Sequence, residues 1–298
     1  MARTRFRGDS GLTLRMGGVS LGLGALYVAF GAFLIYASGS AVMGIVIVLA
    51  MSWGQWYFSD SLALKSMGAR EVSPEQAPEL HAMIDRLCAL ADMKKPRVAV
   101  SVTDMPNAFA TGRSPNHSSV CVTTGIMQRL DADELEGVLA HELAHVANRD
   151  VTVMTVASSL GLLAGFITRW GMYLGGGRDR NGNGGPAFLV VFLVSMVVYF
   201  VSFLLTRSLS RYRELSADRS GAYLTGRPSK LSSALVKISG DMARIPNRDL
   251  REGQAISAFF FAPALNRESV GALFSTHPPL QQRLDQLARV SAELSEPL

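Results

Sequence analysis

The sequence predicts a mainly α membrane protein: four transmembrane helices and, outside the bilayer, an α+β domain with a small sheet. Three observations predict it. Of 298 residues, 48% are hydrophobic and 18% charged, against roughly a quarter charged in an ordinary soluble domain, so part of the chain avoids water. Charge is absent from Met16 to Ser59 and again from Val151–Thr168 and Ala187–Leu205. The remaining stretches carry most of the charge and mix helical with alternating patterns.

Residues 1–15 form a basic tail. One helix needs about 20 apolar residues to cross about 30 Å of hydrocarbon, so residues 16–58 hold a hairpin, and Ser38-Gly39-Ser40 divides it into helices 16–36 and 41–58. Trp53, Trp56 and Tyr57 gather near one end, where amphipathic rings favour the membrane–water interface. A signal peptide would be shorter and would end at a cleavage site. A second hairpin spans 151–206, with helices 151–170 and 187–206 joined by the glycine-rich loop Gly175–Pro186. Arg3, Arg5, Arg7, Arg15, Lys65, Arg70, Arg149, Arg207, Arg211 and Arg213 fall on one side, and Arg169, Arg178 and Arg180 on the other. This bias places both termini in the cytoplasm of a multi-pass protein of the cell (inner) membrane.

The polar stretches 59–150 and 207–298 then lie on the cytoplasmic side and are expected to pack into one domain. Ser73-Pro74-Glu75-Gln76 reads as a helix N-terminus, with serine as cap and proline at the first helical position. The helix that follows carries Leu80, Ile84, Leu87 and Ala91 on one face, and Lys94-Lys95-Pro96 ends it. Val98, Val100 and Val102 alternate as in a strand, as do Val120 and Val122, and Asn107–Gly112 is the candidate edge of a small sheet.

Composition excludes several classes. Cys88 and Cys121 are too few and too far apart for a disulfide framework or a zinc knuckle, and read as free buried thiols. Nucleic acid is not an expected partner, because 29 basic residues stand against 24 acidic ones without a recognisable binding motif.

The chemistry gathers in a second helix, capped by Asp131 with Glu134 three residues on, which contains His141-Glu142-Leu143-Ala144-His145. At about 100° per residue the two histidines lie about 40° apart on the helix surface, so both imidazoles reach one ion. Glu142 projects beside them as a general base would. Leu135, Leu139, Leu143 and Val146 form the stripe that holds the helix to a core. A third ligand must come from elsewhere, and Arg213-Glu214-Leu215-Ser216-Ala217-Asp218 is the best source. Either carboxylate could bind metal while the other fixes a histidine tautomer; the alternative is a solvated face paired with Arg211, Arg213 and Arg219. His81 and His117 show no partner pattern and are assigned to the surface.

Taken in order, Asn107-Ala108-Phe109-Ala110-Thr111-Gly112, His141–His145 with Asn148-Arg149-Asp150, Glu214 with Asp218, and Thr276-His277-Pro278-Pro279 with Arg283 resemble the HtpX-like membrane zinc metallopeptidases, relatives of the CAAX prenyl proteases. The resemblance implies a zincin-like (gluzincin) catalytic domain holding one Zn2+ per chain on His141, His145 and Glu214. It makes Glu142 the base and places Asp218 behind the ligands. His277 matches a family histidine near the C terminus and is the candidate oxyanion donor, with Arg283 as helper. The stretch from Gly240 to Phe274 has no clear match to the family pattern.

The expected function is zinc-dependent endoproteolysis of misfolded or damaged membrane proteins at the cytoplasmic membrane surface, a quality-control role tied to stress. Its partners would be membrane-protein or unfolded polypeptide substrates and the lipid bilayer. Zinc with three protein ligands keeps an open position for activated water, and Glu142 takes the proton as water attacks the carbonyl. Asn107, Ala108, Phe109 and Ala110, on an edge strand, would pair with the substrate backbone. Counting residues from the bilayer puts His145 about 9 Å and Glu214 about 14 Å beyond it if both helices continue out of the membrane. Two rivals remain. An intramembrane protease is disfavoured by Asp131, Asp133, Glu134 and Glu136, which make the start of the helix water-facing; a zinc-binding membrane scaffold or transporter would have no need of Glu142.

Overall fold

Long apolar helices and a mixed polar domain alternate along the chain, and the computed structural model describes residues 9–38, 42–174, 185–242 and 277–295. Most of the basic tail, the loop from 175 to 184 and the segment 243–276 with Thr276 lie outside the described residues. Helix α1 (Ser10–Ser38) begins six residues before the apolar run does. Asp9 is the reason: its Oδ1 accepts from the N–H groups of Gly11 and Leu12 at 2.8 and 3.1 Å, capping the helix inside the stretch expected to be tail. Three of the described helices are long and apolar enough to cross a membrane, over Ser10–Leu34, Asp150–Thr168 and within Leu189–Thr225. Helix α2 (Val42–Tyr57) has 16 residues, about 24 Å at 1.5 Å each, and is shorter than the other three.

After α3 (Ser59–Ser66) comes a four-stranded sheet, β1 (Arg70–Glu71), β2 (Arg97–Ser101), β3 (Ala108–Ser114) and β4 (His117–Thr123), in the order β1-β2-β4-β3. Only β2 and β4 pair in parallel. Strand β3 stands at the edge, as the sequence suggested. Both faces are covered: Val98, Val120 and Val122 face the main core, while Ala99, Phe109 and Cys121 pack under Ala63 and Leu64 of α3. Cys88 and Cys121 are free and buried.

Helix α4 spans Pro78–Ala91, four residues later than the serine cap implied. Ser73 starts a separate turn instead: its carbonyl accepts from Gln76 N–H at 3.0 Å while the Gln76 side chain accepts from Ser73 N–H at 2.9 Å. Pro78, not Pro74, takes the first helical position. His81 is a further correction. It is buried, and its Nε2 contacts the Val72 carbonyl at 3.0 Å, fixing that turn to α4.

Helices α5 (Thr124–Arg129), α6 (Ala132–Ala147) and α7 (Asp150–Leu174) follow, then α8 (Gly185–Thr225), α9 (Pro228–Met242) and α10 (Leu280–Ser295). One core joins both polar stretches: Ile84 and Leu87, Val138, Leu139 and Leu143 of α6, Leu231 and Leu235 of α9, and Leu287 of α10 belong to it. Helix α8 runs in one piece past the membrane exit placed near 206. It contains neither glycine nor proline from Ala187 to Ser220, and so runs on until Gly226 at φ +68° stops it. By contrast α6 and α7 are separate helices, because Arg149 at φ +56° breaks the chain between them. The expectation that both histidine- and glutamate-bearing helices continue from the membrane therefore holds for α8 alone.

Candidate active site

Helix α6 is enclosed almost all round, with every residue from Glu134 to Ala144 buried. Its start is fixed by a reciprocal cap: Asp131 Oδ1 accepts from Glu134 N–H at 2.8 Å, and Glu134 Oε2 accepts from Asp131 N–H at 2.9 Å. Glu134 and Glu136 do not face water as expected. Glu134 is held by Lys237 and Ser233, and Glu136 by Arg86, so pairing removes the cost of their burial.

On α6, His141 Nε2 and His145 Nε2 lie 3.1 Å apart. Glu214 on α8 faces both, its Oε2 3.7 Å from His141 Nε2 and its Oε1 3.4 Å from His145 Nε2. Tetrahedral ligands at about 2.1 Å from a metal are separated by about 3.4 Å. One donor atom from each of the three residues lies within 4.8 Å of the others, near that spacing, and they form the candidate metal-holding group among the described residues.

The tautomers agree. His141 Nδ1 contacts Asp218 Oδ1 at 2.9 Å, and His145 Nδ1 contacts Asp150 Oδ2 at 2.5 Å. A neutral histidine that donates from Nδ1 presents a lone pair at Nε2. Two such lone pairs and a carboxylate facing one another make a donor set that fits a cation. Burial pushes His141 down to about 4, against the opposing pull of Asp218, which keeps it neutral and ready to bind metal. Burial also lowers His145, but Glu214 and Glu142 outweigh it and leave its pKa raised.

Asp218 is fully buried and takes Arg283 of α10 in a bidentate pair, at 2.7 Å from Nε and 2.6 Å from Nη2. The alternative of a solvated Glu214–Asp218 face fails, since both are buried. α8 reaches α6 this closely because residue 221 is glycine: a Cβ there would lie 2.8 Å from His141 N. Gln286 Nε2 donates to Leu215 O at 2.6 Å and ties α10 to the same stretch of α8.

Glu142 is buried beside these donors, and its Oε2 accepts from Ala110 N–H on β3 at 2.8 Å. Burial pushes its carboxyl up to about 7, with His145 pulling the other way, the range a general base needs at neutral pH. His277 Nδ1 lies 3.0 Å from Glu214 Oε2, so this histidine stands against a ligand. Arg283 Nη1 is 3.9 Å from the same oxygen, while the rest of its guanidinium is committed to Asp218. Asn107, Ala108 and Phe109 are buried and Ala110 half-buried, so this strand can meet a partner only through its backbone. His117 is exposed, as expected.

Asp150 is a residue of the site whose role no sequence pattern marks. It is the first residue of α7, it holds His145, and it is in contact with Arg213 of α8. Arg213 Nη2 also donates to Asn148 O at 3.3 Å. The missed signal was spacing: five residues beyond His145, a chain that turns back at Arg149 returns a carboxylate to the ring.

A family model for peptidase family M48 matches residues 74–291, which include every residue of this site. The chain belongs to peptidase family M48. Protease HtpX homolog 1 of Streptomyces coelicolor is 55% identical over 298 residues, covering 99% of this chain and 97% of that protein. A Protease HtpX homolog of Moorella thermoacetica is 54% identical, covering 99% of both. Among solved structures, the crystal structure of S. mikatae Ste24p aligns with a TM-score of 0.52 at 15% identity, over 94% of this chain and 66% of that one; this likeness concerns the fold. As an M48 member with long apolar helices, the protein is a membrane metalloprotease.

Proposed function

We propose that this M48 peptidase is a zinc-dependent endopeptidase that cuts misfolded or damaged membrane proteins at the cytoplasmic face of the cell (inner) membrane. The observation that carries the reading is the cluster of His141, His145 and Glu214, one donor atom from each within 4.8 Å of the others, beside the buried carboxylate of Glu142. Three protein donors of the His2Glu type leave a fourth position open, as catalytic zinc sites do and structural ones do not. Bound there, zinc would supply a Lewis acid that polarises water and the scissile carbonyl.

The chain's own residues do the rest. Glu142 Oε2 takes the proton of the attacking water and delivers it to the departing amine. Asp218 and Asp150 hold the two histidines with Nδ1 protonated, and Arg283 neutralises Asp218. His277, in place against Glu214, is the candidate donor to the oxyanion. Asn107, Ala108, Phe109 and Ala110 form the substrate-binding edge, where Ala108 and Ala110 turn their backbone outward to an extended chain, which gives weak sequence preference. We assign four crossings, with α2 as the short second one, and both termini and the catalytic domain in the cytoplasm. The Lys and Arg bias supports this orientation.

The test is degradation of an unfolded protein by detergent-purified, zinc-loaded wild type beside Glu142→Gln, with zinc measured in both. Cleavage by wild type alone at equal zinc is the expected result. Equal cleavage in both samples would remove Glu142 from its role, and no cleavage by either with zinc bound would favour a zinc-binding scaffold.

A further inference from the structure

Strand β3 runs between two fixed levels of the molecule. Near its start, Ala110 N–H meets Glu142 Oε2 at 2.8 Å, which marks the level of the chemistry. At its far end the strand is fastened to the membrane helices. The Arg113 guanidinium lies 4.5 Å from the centroid of the Tyr57 ring, at the end of α2, and its Nη1 donates to Tyr57 O at 3.4 Å. Arg113 O accepts from Thr152 Oγ1 at 3.1 Å, and that hydroxyl accepts from Trp56 Nε1 at 3.0 Å. Thr152 is in the first turn of α7, where the apolar run begins, and Trp56 and Tyr57 are rings of the kind that sit at the interface. At about 3.3 Å per residue, the level of Glu142 is therefore about 10 Å along the strand from its membrane anchor.

A small pocket lies at this strand, lined by Ala110, Gly112 and Ser114 of β3 and by His145, Arg149 and Val151. The strand's outer edge is the one not paired with β4. Thr123 N–H donates to Asn107 O at 3.0 Å, so Asn107 pairs inward, and the alternation of an antiparallel ladder turns Ala108, Ala110 and Gly112 outward.

Resting on the peptidase reading above, we propose that β3, pinned to α2 and α7, is a membrane ruler: the enzyme cuts extended segments that directly flank a transmembrane helix, about four residues from its end. A chain leaving the bilayer beside Val151 and adding to the edge of β3 reaches Glu142 after about 10–13 Å, three or four extended residues. Longer tethers dilute the cleavable bond. Effective concentration falls roughly as the −3/2 power of tether length, about tenfold between 4 and 20 residues.

The test places the full-length, zinc-loaded protein in liposomes with a substrate made of one transmembrane helix and a uniform repeating linker, and maps the cut bonds by mass spectrometry. The same linker without the helix serves as a soluble control. Expected are cuts concentrated within about six residues of the helix, at least tenfold above bonds 20 residues away, while the soluble linker is cut throughout. Cuts spread evenly along the tethered linker, with the soluble linker also cut, would overturn the ruler and leave the peptidase reading intact. Failure to cut either would overturn both. Tyr57→Ala, which removes the ring beneath Arg113, should widen the window of cut bonds while changing the rate on the soluble linker less than twofold. An unchanged window in that variant, with normal soluble activity, would place the ruler elsewhere and contradict the proposal.

Discussion

The two helical connections between membrane and metal site are built in opposite ways. Helix α8 carries Glu214 and Asp218 on an uninterrupted continuation of its apolar segment, so these carboxylates are rotationally locked to the membrane helix. The α6–α7 connection breaks at Arg149 instead, and α7 sends only the side chain of its first residue, Asp150, back to His145. A continuous helix sets position by geometry alone, whereas a broken one sets it by a hydrogen bond. The first should tolerate no change of register, and the second should weaken in graded steps.

The largest effect should come from inserting one alanine between Arg207 and Glu214. It would rotate the carboxylate by about 100° around α8, and zinc content should fall to background by mass spectrometry. One alanine inserted between Asn148 and Arg149 should leave zinc bound but more weakly, since it displaces Asp150 from His145 while the three donors stay on α6 and α8. Next come the carboxylates behind the histidines. Asp150→Asn should weaken zinc affinity about 10- to 100-fold, the usual cost of losing such a partner. Asp218→Asn should do the same and also destabilise the protein by about 3–5 kcal/mol, because it strips a buried Arg283 of its partner; chelator competition and thermal unfolding separate the two effects.

Glu142 sharpens the comparison through pH. Burial holds its carboxyl at about 7 without metal, and a nearby cation favours the charged form. Protonated, it cannot take a proton from water. Activity should therefore fall as pH drops, on an acid limb at or below 7 that is missing from whatever residual rate Glu142→Gln retains. The smallest effect belongs to Asp131→Ala, far along α6 from the metal: about 1 kcal/mol of stability lost with the cap, and unchanged zinc affinity.

How much of this was legible in the sequence varied with the kind of signal. The His141–His145 spacing, the Asp131 cap, the buried stripe of α6 and the edge position of β3 are local patterns with short periods, and each appears where the pattern put it. The third ligand was legible as a pair of candidates and became definite only when α8 packed on α6 at Gly221. What stayed hidden depends on contacts across the fold. Asp150 matters because Arg149 adopts a left-handed turn. Arg283 matters because α10 buries it against Asp218, 65 residues away in sequence. His81 looked like a surface residue because its partner is a backbone carbonyl, which no side-chain pattern announces.

The central claim is that His141, His145 and Glu214 hold one catalytic zinc with an open fourth position. X-ray absorption at the zinc edge of the purified full-length protein tests it most directly. The account predicts one zinc per chain, bound to two imidazole nitrogens and oxygen at about 2.0–2.2 Å without sulfur, and loss of that signal in Glu214→Ala. A zinc with four protein ligands or a sulfur neighbour, or one retained unchanged in Glu214→Ala, would contradict it.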